Sequence, residues 1–162
     1  VHSQRRNPQS VRCSRRCRRS VAGEPSLNGT IPTELSMLTN INQMDLSFNT
    51  LTGTICSELG LLTNLSLELR LNNNALTGTI PTELSLLSTL ENLRFYANAL
   101  TGTIPTELGL MTNLKMLDLS SNQFNGGSVS TELRALVVSN GLSLTIDCDR
   151  VACGDCECQC RQ

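Results

Sequence analysis

A unit of about 24 residues recurs along most of the chain, and its regular period limits the possible folds more than any other feature. Residues 76–102 contain one complete copy, LTGTIPTELSLLSTLENLRFYANALTG. A glycine and an asparagine mark the same two places in successive copies: Gly29, Gly53, Gly78, Gly102 and Gly126, and Asn49, Asn74, Asn98 and Asn122. Such a period is typical of a solenoid, in which each coil buries its leucines against the next coil.

The apolar residues of each copy predict one short strand per coil. The pattern L-x-L alternates with period two, which indicates a strand with one buried side, and successive coils would align these strands in a parallel sheet. We expect the asparagine to turn inward and bond to backbone groups of neighbouring coils, because unpaired buried backbone groups are costly. The glycine permits a tight bend, and Pro32, Pro81 and Pro105 lie on the far side.

The full unit, L-x-x-L-x-x-L-x-L-x-x-N-x-L-T-G-T-I-P-T-E-L, resembles the leucine-rich repeat over roughly residues 25–147. Its L-T-G-T-I-P segment is similar to the plant-type subfamily. The I-P-T-E-L copies and the Asp-Cys ending resemble secreted or receptor-like leucine-rich-repeat proteins of diatoms and related algae. This resemblance implies an α/β repeat fold: a short right-handed solenoid with a concave parallel β-sheet and a convex face of turns and short helices.

Charge and composition divide the chain into three parts. Residues 1–20 hold seven Arg and no acid, whereas the remainder has six Lys or Arg against fourteen Asp or Glu. We interpret 1–20 as a disordered Arg-rich leader or linker, in preference to a nucleic-acid arm, because blocks of like charge usually remain solvated. We therefore expect no nucleic-acid partner. Residues 21–147 are the predicted solenoid of about five coils, and 148–162 form a Cys-rich C-terminal cap or tail.

Eight cysteines and two sequence triplets bear on the compartment. Clustered cysteines at the end of a small domain predict a disulfide-stapled cap formed in an oxidising compartment. A zinc site or redox thiols are the alternatives, and the pairing stays open. Asn28 and Asn64 begin N-glycosylation triplets, so we expect an extracellular or cell-surface location. Cys56 replaces the usual proline and is predicted to be unpaired. The cap cysteines are Cys148, Cys153, Cys156, Cys158 and Cys160.

The sequence lacks the motifs of the common enzyme classes. Its one histidine is His2, and it has no P-loop, no G-x-S-x-G and no H-E-x-x-H motif. No apolar run approaches the roughly 18 residues needed to cross a bilayer. We therefore predict a non-catalytic, monomeric binding module without cofactor, metal or membrane segment.

The outward positions of the predicted concave strands are the best candidate site. One column contains two arginines between two aspartates, and a neighbouring column contains the chain's one tyrosine. Exposed aromatic residues beside arginine are typical of binding hot spots. We predict a protein, peptide or glycan ligand at these residues. Alternatively, the column satisfies itself as a ladder of ion pairs. The predicted ligand-binding residues are Asp45, Arg70, Arg94, Tyr96 and Asp118.

Other functions remain compatible with this architecture. The chain could serve as an adhesion or cell-wall scaffold, as an ectodomain fragment of a receptor-like kinase, or as an inhibitor of a pathogen or cell-wall enzyme. Regular threonine rows on the convex turns, such as Thr52 and Thr77, could also match ice. One copy has an extra residue between Leu65 and Leu69, which predicts a β-bulge at the start of its strand.

Overall fold

Each coil contains three segments in the same order: a strand, a second strand and a short 3-10 helix. The structure is a computed structural model. It describes residues 26–125, 127–147, 151 and, for the backbone, 159–161. The three segments stack from coil to coil into three faces, which we call the concave sheet, the lateral sheet and the helical ridge.

The concave sheet consists of six parallel strands, which follow one another in chain order from β2 to β10. In each three-residue strand of the repeats the middle residue is buried and its two neighbours are half-buried. The predicted alternation is therefore confirmed. The strands are β2 (Gln43–Asp45), β4 (Glu68–Arg70), β6 (Asn92–Arg94), β8 (Met116–Asp118), β9 (Ser143–Asp147) and β10 (Gln159–Arg161).

A second parallel sheet, the lateral sheet, occupies the L-T-G-T segments that the sequence analysis assigned to turns. That assignment was wrong, because a buried leucine between exposed neighbours satisfies the alternation of a strand, and stacking brings these segments side by side. The N–H of Thr101 donates to the Gly78 carbonyl at 2.7 Å across this sheet. The strands are β1 (Asn28–Thr30), β3 (Thr50–Thr54), β5 (Ala75–Gly78) and β7 (Ala99–Leu100).

The helical ridge is built from four 3-10 helices and one α-helix. The helices are η1 (Thr33–Met37), η2 (Ser57–Leu61), η3 (Thr82–Leu86), η4 (Thr106–Leu110) and α1 (Thr131–Asn140). Helix α1 takes the place of a 3-10 helix in the last coil of the ridge. It begins where the N–H of Leu133 donates to Ser130 Oγ at 3.2 Å, and it ends at Gly141, whose φ is 66°. Within the described ranges, no helix is long and apolar enough to span a bilayer.

The interior between these faces is filled mainly by leucine and isoleucine side chains. Most of them are fully buried, and Phe95 and Phe124 are the aromatic residues of this core. Burial of one such side chain contributes about 1.5–3 kcal/mol, so a narrow core repeated in every coil can stabilise a chain with few aromatics.

The asparagines bond as predicted, each one linking two coils. The Asn98 side chain accepts from the N–H of Leu76 at 3.0 Å and donates to the carbonyls of Leu71 and Phe95, both at 3.0 Å. The same pattern is present at Asn74 and Asn122. This asparagine column pairs backbone groups that would otherwise be buried without partners.

Asp147 ends the asparagine column. In an earlier coil, the N–H groups of Ala97 and Asn98 donate to two carbonyls of the following coil. In the last coil, the N–H groups of Ser121 and Asn122 donate instead to the two carboxylate oxygens of Asp147, at 2.9 and 3.1 Å. One side chain thus supplies both acceptors that a following coil would provide.

The extra residue of the second full coil is accommodated at the predicted place. The carbonyl of Asn42 accepts from both Ser66 and Leu67, so two residues of one coil face one residue of its neighbour. The Glu91 carbonyl likewise accepts from Lys115 and Met116 in a coil without an extra residue, so the bulge stays a prediction. Leu67 points outward and is 43% exposed.

Several predictions concern residues outside the described part of the chain. These are the Arg-rich segment 1–20 and the cap cysteines Cys148, Cys153, Cys156 and Cys158. Cys160 lies in β10, where the structure describes the backbone and not the side chain.

Candidate functional site

Four of the five predicted site residues form one column across the concave sheet. Asp45 is paired in register with Arg70, Arg70 with Arg94, and Arg94 with Asp118. Each residue ends its strand, and its side chain points away from the core because the preceding residue is buried. Tyr96 lies two residues beyond Arg94 and is half-buried.

A hollow of about 200 Å³ lies over three strands of this sheet. It brings together four predicted site residues, whereas Asp118 lies outside its lining. Three further residues in the lining were not predicted to bind ligand. The complete lining is Asp45, Ser47, Phe48, Arg70, Asn72, Arg94 and Tyr96.

The charge of Arg70 is balanced by two carboxylates. Its Nη1 lies 3.4 Å from Asp45 Oδ2, and its Nε contacts the Glu68 carboxylate as an ion pair without the alignment of a hydrogen bond. Both partners are on the same sheet, so this part of the column satisfies itself. Arg70 therefore orders the hollow and leaves little unbalanced charge for a ligand.

Asp118 forms its hydrogen bonds with Ser120, two residues further along its own coil. Its Oδ1 accepts from the backbone N–H of Ser120 at 3.1 Å and from the Ser120 hydroxyl at 2.7 Å. Asp45 and Ser47 repeat this arrangement in the first coil. Asp118 is consequently turned toward Ser120, although it is the register neighbour of Arg94.

Arg94 forms no ion pair with a described residue, although Asp118 is its register neighbour. Its buried Nε has no hydrogen-bond partner among these residues. A half-buried guanidinium with unused donors favours an anionic group, since hydrogen bonds to charged partners are the stronger class. The alternative considered above was a continuous ladder of ion pairs along this column. Arg70 forms its ion pairs in that ladder, whereas Arg94 forms none.

Asn72 adds an unused acceptor at the floor of the same hollow. This residue is 2% exposed, and its Oδ1 has no partner in the described part of the chain. A buried carbonyl oxygen without a donor is costly, so a ligand N–H placed there would gain a bond at little further desolvation cost. Phe48 is half exposed at one side and Tyr96 lies at the other. Asn72 occupies the same repeat position as Tyr96, and nothing in the sequence indicates its burial.

Cys56 lies at the start of η2, in the position that proline holds before η1, η3 and η4. It is a half-buried free thiol with no disulfide partner in the described ranges. Burial, and then the nearby charge of Glu58, raise the pKa of this thiol above its ordinary value. A raised pKa lowers the thiolate fraction at neutral pH, which is consistent with a structural role.

The two glycosylation candidates are exposed on different faces. Asn28 lies in β1 at the edge of the lateral sheet, and Asn64 lies just before the concave sheet. Asn64 Nδ2 donates to the Thr39 carbonyl at 2.6 Å. Both amides can be reached from solvent, so either triplet remains a candidate.

Threonines flank the glycine of each coil on the lateral sheet and the loop after it. The register places Thr30 opposite Thr52 and Thr54 opposite Thr77. A Cβ atom added at Gly78 would lie 2.8 Å from the Thr54 methyl, so the absence of side chains at such glycines lets the threonines of adjacent coils approach closely. We call this surface the threonine face, which comprises Thr30, Thr52, Thr54, Thr77, Thr79, Thr101 and Thr103.

Comparison with known proteins supports the family resemblance. The Leucine Rich Repeat family model matches residues 67–87 and 113–136. No curated protein sequence matches the chain. The chain is similar to the plant peptide hormone receptor RGFR1, solved in complex with RGF2, with 38% identity over 75% of this chain and 19% of that one, and a TM-score of 0.66.

Two further solved structures have comparable similarity. A pollen receptor kinase, Pollen Receptor Kinase 3, is 28% identical over 84% of this chain and 64% of that one, with a TM-score of 0.71. A plant ice-binding protein is 33% identical over 76% of this chain and 37% of that one, with a TM-score of 0.65. The chain spans less than two thirds of each of these three proteins. The stacked strands, the asparagine column and these similarities together show that the chain has the fold of a leucine-rich-repeat solenoid.

Proposed function

We propose that this chain is a non-catalytic binding module that takes a peptide or protein segment on the concave sheet, with an acidic group of that ligand at Arg94. The unpaired guanidinium of Arg94 carries the proposal, because Arg70 and both aspartates already have partners on the sheet. The proposed site keeps Asp45, Arg70, Arg94, Tyr96 and Asp118. Asp118 serves there as a neighbour of the hollow.

The ligand class follows from two considerations. One of the similar structures is a plant peptide hormone receptor in complex with RGF2. An extended segment lying across the strands would place a carboxylate at Arg94, a backbone N–H near Asn72 Oδ1 and an apolar side chain between Phe48 and Tyr96. A glycan would use the same aromatic rings but offers no carboxylate unless it is acidic. We therefore favour a peptide or protein ligand.

The proposed function also includes an extracellular or cell-surface location and a disulfide cap at the C-terminal end. Several similar structures are receptor ectodomains, which favours an extracellular or cell-surface location for this chain. In that compartment the five C-terminal cysteines would form a disulfide cap, and Asn28 and Asn64 would be available for glycosylation. The finer resemblance to algal proteins also stays a prediction.

Peptide selection tests the proposal. A displayed random peptide library is panned on the full chain, and dissociation constants are measured for the enriched peptides. We expect acidic peptides, and Arg94→Ala should weaken their binding by roughly 10- to 100-fold, because hydrogen bonds to charged groups contribute about 1.5–3 kcal/mol. Lys115→Ala is the control: it also removes one positive charge from this sheet, but Lys115 is exposed and pairs with Glu91.

Equal binding by the Arg94 and Lys115 variants would contradict the site. If binding also survived Tyr96→Ala and were insensitive to salt, a broad adhesion or cell-wall surface would be the better description. Enrichment of basic peptides would likewise contradict an anion site at Arg94.

The threonine face supports a second candidate function, the binding of ice. Its threonines recur in every coil, and Thr54 and Thr77 lie opposite each other on hydrogen-bonded strands, where they present hydroxyl and methyl groups to solvent. A plant ice-binding protein is among the similar structures. Regular spacing on a rigid sheet is what a crystalline surface can match, whereas threonines on separate turns would not hold a constant spacing.

Ice recrystallisation measures this activity directly. We expect the full chain to slow the growth of ice crystals and Thr77→Lys, at the centre of the face, to remove the effect. Thr112→Lys places the same charge at an exposed threonine outside the face and should leave the activity intact. A wild-type chain without effect on ice growth would exclude this function.

A further inference from the structure

The helical ridge presents a second surface that neither proposed function uses. Each 3-10 helix exposes one large apolar side chain at its last residue: Met37 is 78% exposed, Leu61 57%, Leu86 55% and Leu110 63%. The four helices lie side by side in chain order. Their apolar side chains therefore form one row along the solenoid, and in the described structure nothing covers it.

A row of glutamates runs beside this apolar row. Glu34, Glu58, Glu83 and Glu107 occupy the second position of the four helices, and Glu132 occupies the same position in α1. Positions i and i+3 eclipse each other in a 3-10 helix, so each glutamate lies directly over the apolar residue of its own helix. None of these five carboxylates makes an ion pair with a described residue.

The apolar row and the glutamate row together favour the binding of an arginine-rich segment along the helical ridge. Carboxylates aligned on neighbouring coils repel one another, and bound cations relieve that repulsion. Arginine suits both rows at once, because its aliphatic stem covers apolar surface while its guanidinium reaches a carboxylate. A purely apolar partner would leave the glutamates desolvated, and a small cation would leave the leucines exposed.

The chain itself contains a segment of this chemistry. Residues 1–20 hold seven arginines and no acid, whereas the rest of the chain has an excess of eight acidic residues. The segment joins the solenoid through residues 21–25, and η1 follows directly after β1 in the first described coil. Twenty residues can extend to about 66 Å. The five stacked glutamates span about 20 Å at the coil spacing of a sheet.

We propose that residues 1–20 bind along the helical ridge of the same chain, with arginines at the glutamate row and their stems over Met37, Leu61, Leu86 and Leu110. In this arrangement the basic segment is held on the face away from the concave sheet. The ligand hollow then stays open, while the arginines neutralise the glutamate row. The inference does not depend on the ligand proposed for the concave sheet.

Trypsin digestion of the full chain tests the arrangement. The rate at which peptides are released from residues 1–20 is followed by mass spectrometry in low salt. We expect the triple variant Glu58→Gln, Glu83→Gln, Glu107→Gln to lose its segment about tenfold faster than wild type, since a few exposed ion pairs together contribute roughly this factor. High salt should accelerate wild type and leave the variant unchanged.

A charge-matched control separates the ridge from the effect of net charge. The triple variant Asp149→Asn, Asp155→Asn, Glu157→Gln removes three acids that belong neither to the ridge nor to the proposed site, and should be cleaved at the wild-type rate. Equal rates for all three proteins would overturn the proposal. Protection that increased with protein concentration would place the segment on a second copy, and would overturn the intramolecular arrangement.

Discussion

Replacing Asn122 by alanine should lower the free energy of unfolding by about 2–4 kcal/mol, the largest effect we expect from one side chain. Asn122 is 5% exposed and bridges two coils. Its Oδ1 accepts from the N–H of Leu100 at 3.1 Å, and its Nδ2 donates to the carbonyls of Phe95 and Leu119, both at 3.0 Å. The alanine would leave the N–H of Leu100 and the carbonyl of Leu119 buried and unpaired, at about 1–3 kcal/mol each before relaxation, whereas the Phe95 carbonyl keeps its bond from Asn98.

Urea denaturation followed by circular dichroism measures this loss. Asn113→Ala is the control, because Asn113 is exposed and its amide makes a single bond to a neighbouring coil, to the Ser88 carbonyl at 2.8 Å. We expect that control to cost less than about 1 kcal/mol. A similar cost for the two variants would mean that water replaces the bonds of Asn122, and that the asparagine column contributes little to stability.

Replacing Gly60 by alanine should lower the free energy of unfolding by about 1–3 kcal/mol through overpacking. A Cβ atom at this position would lie 2.3 Å from the backbone carbonyl oxygen of Glu83 and 2.8 Å from its carbonyl carbon. The obstacle is backbone, so no side-chain rotation can relieve it. Helices η2 and η3 would have to separate, and the leucines beneath them would lose contact.

Ser85→Ala provides a matched control, because Ser85 holds the same position in η3 and already carries a Cβ atom. Thermal unfolding should show a clear decrease in Tm for the glycine variant and little change for the serine variant. We expect Gly109→Ala to lower Tm in the same way, because an added Cβ there would lie 2.4 Å from Glu132 Cβ in α1. A Gly60 variant as stable as wild type would show that the ridge helices can move apart at little cost.

Residues with a periodic role could be predicted from the sequence, whereas those whose role depends on side-chain conformation could not. The concave strands and the asparagine bonds follow from spacing alone. Gly60 and Ser85 share one repeat position, and nothing in the sequence shows that one of them has no room for a Cβ atom. The exposure of the ridge leucines could not be predicted either, because a leucine in a sequence usually indicates a buried core residue.

The candidate site shows the same limit. Arg70 and Arg94 occupy equivalent positions, and the sequence alone offers no means to tell which one has its charge balanced. The difference arises from Glu68, which pairs with Arg70, where the next coil has Asn92. Backbone conformation was also unpredictable at one corner. The residue before each column asparagine has a φ of 54–56°, yet these residues are Phe48, Asn73, Ala97 and Ser121, which share no propensity for that conformation.

The carboxylate of Asp147 has a consequence for how such a protein can change in length. A unit inserted upstream would join the column on both sides, since each asparagine needs only a neighbouring coil of the same design. A unit added downstream would meet a corner whose two N–H groups are already bound to Asp147. Whole repeat units can therefore be duplicated or deleted on the N-terminal side of this corner, but not added on its C-terminal side. We expect recombination or engineering to lengthen the solenoid by inserting units before the coil that Asp147 closes.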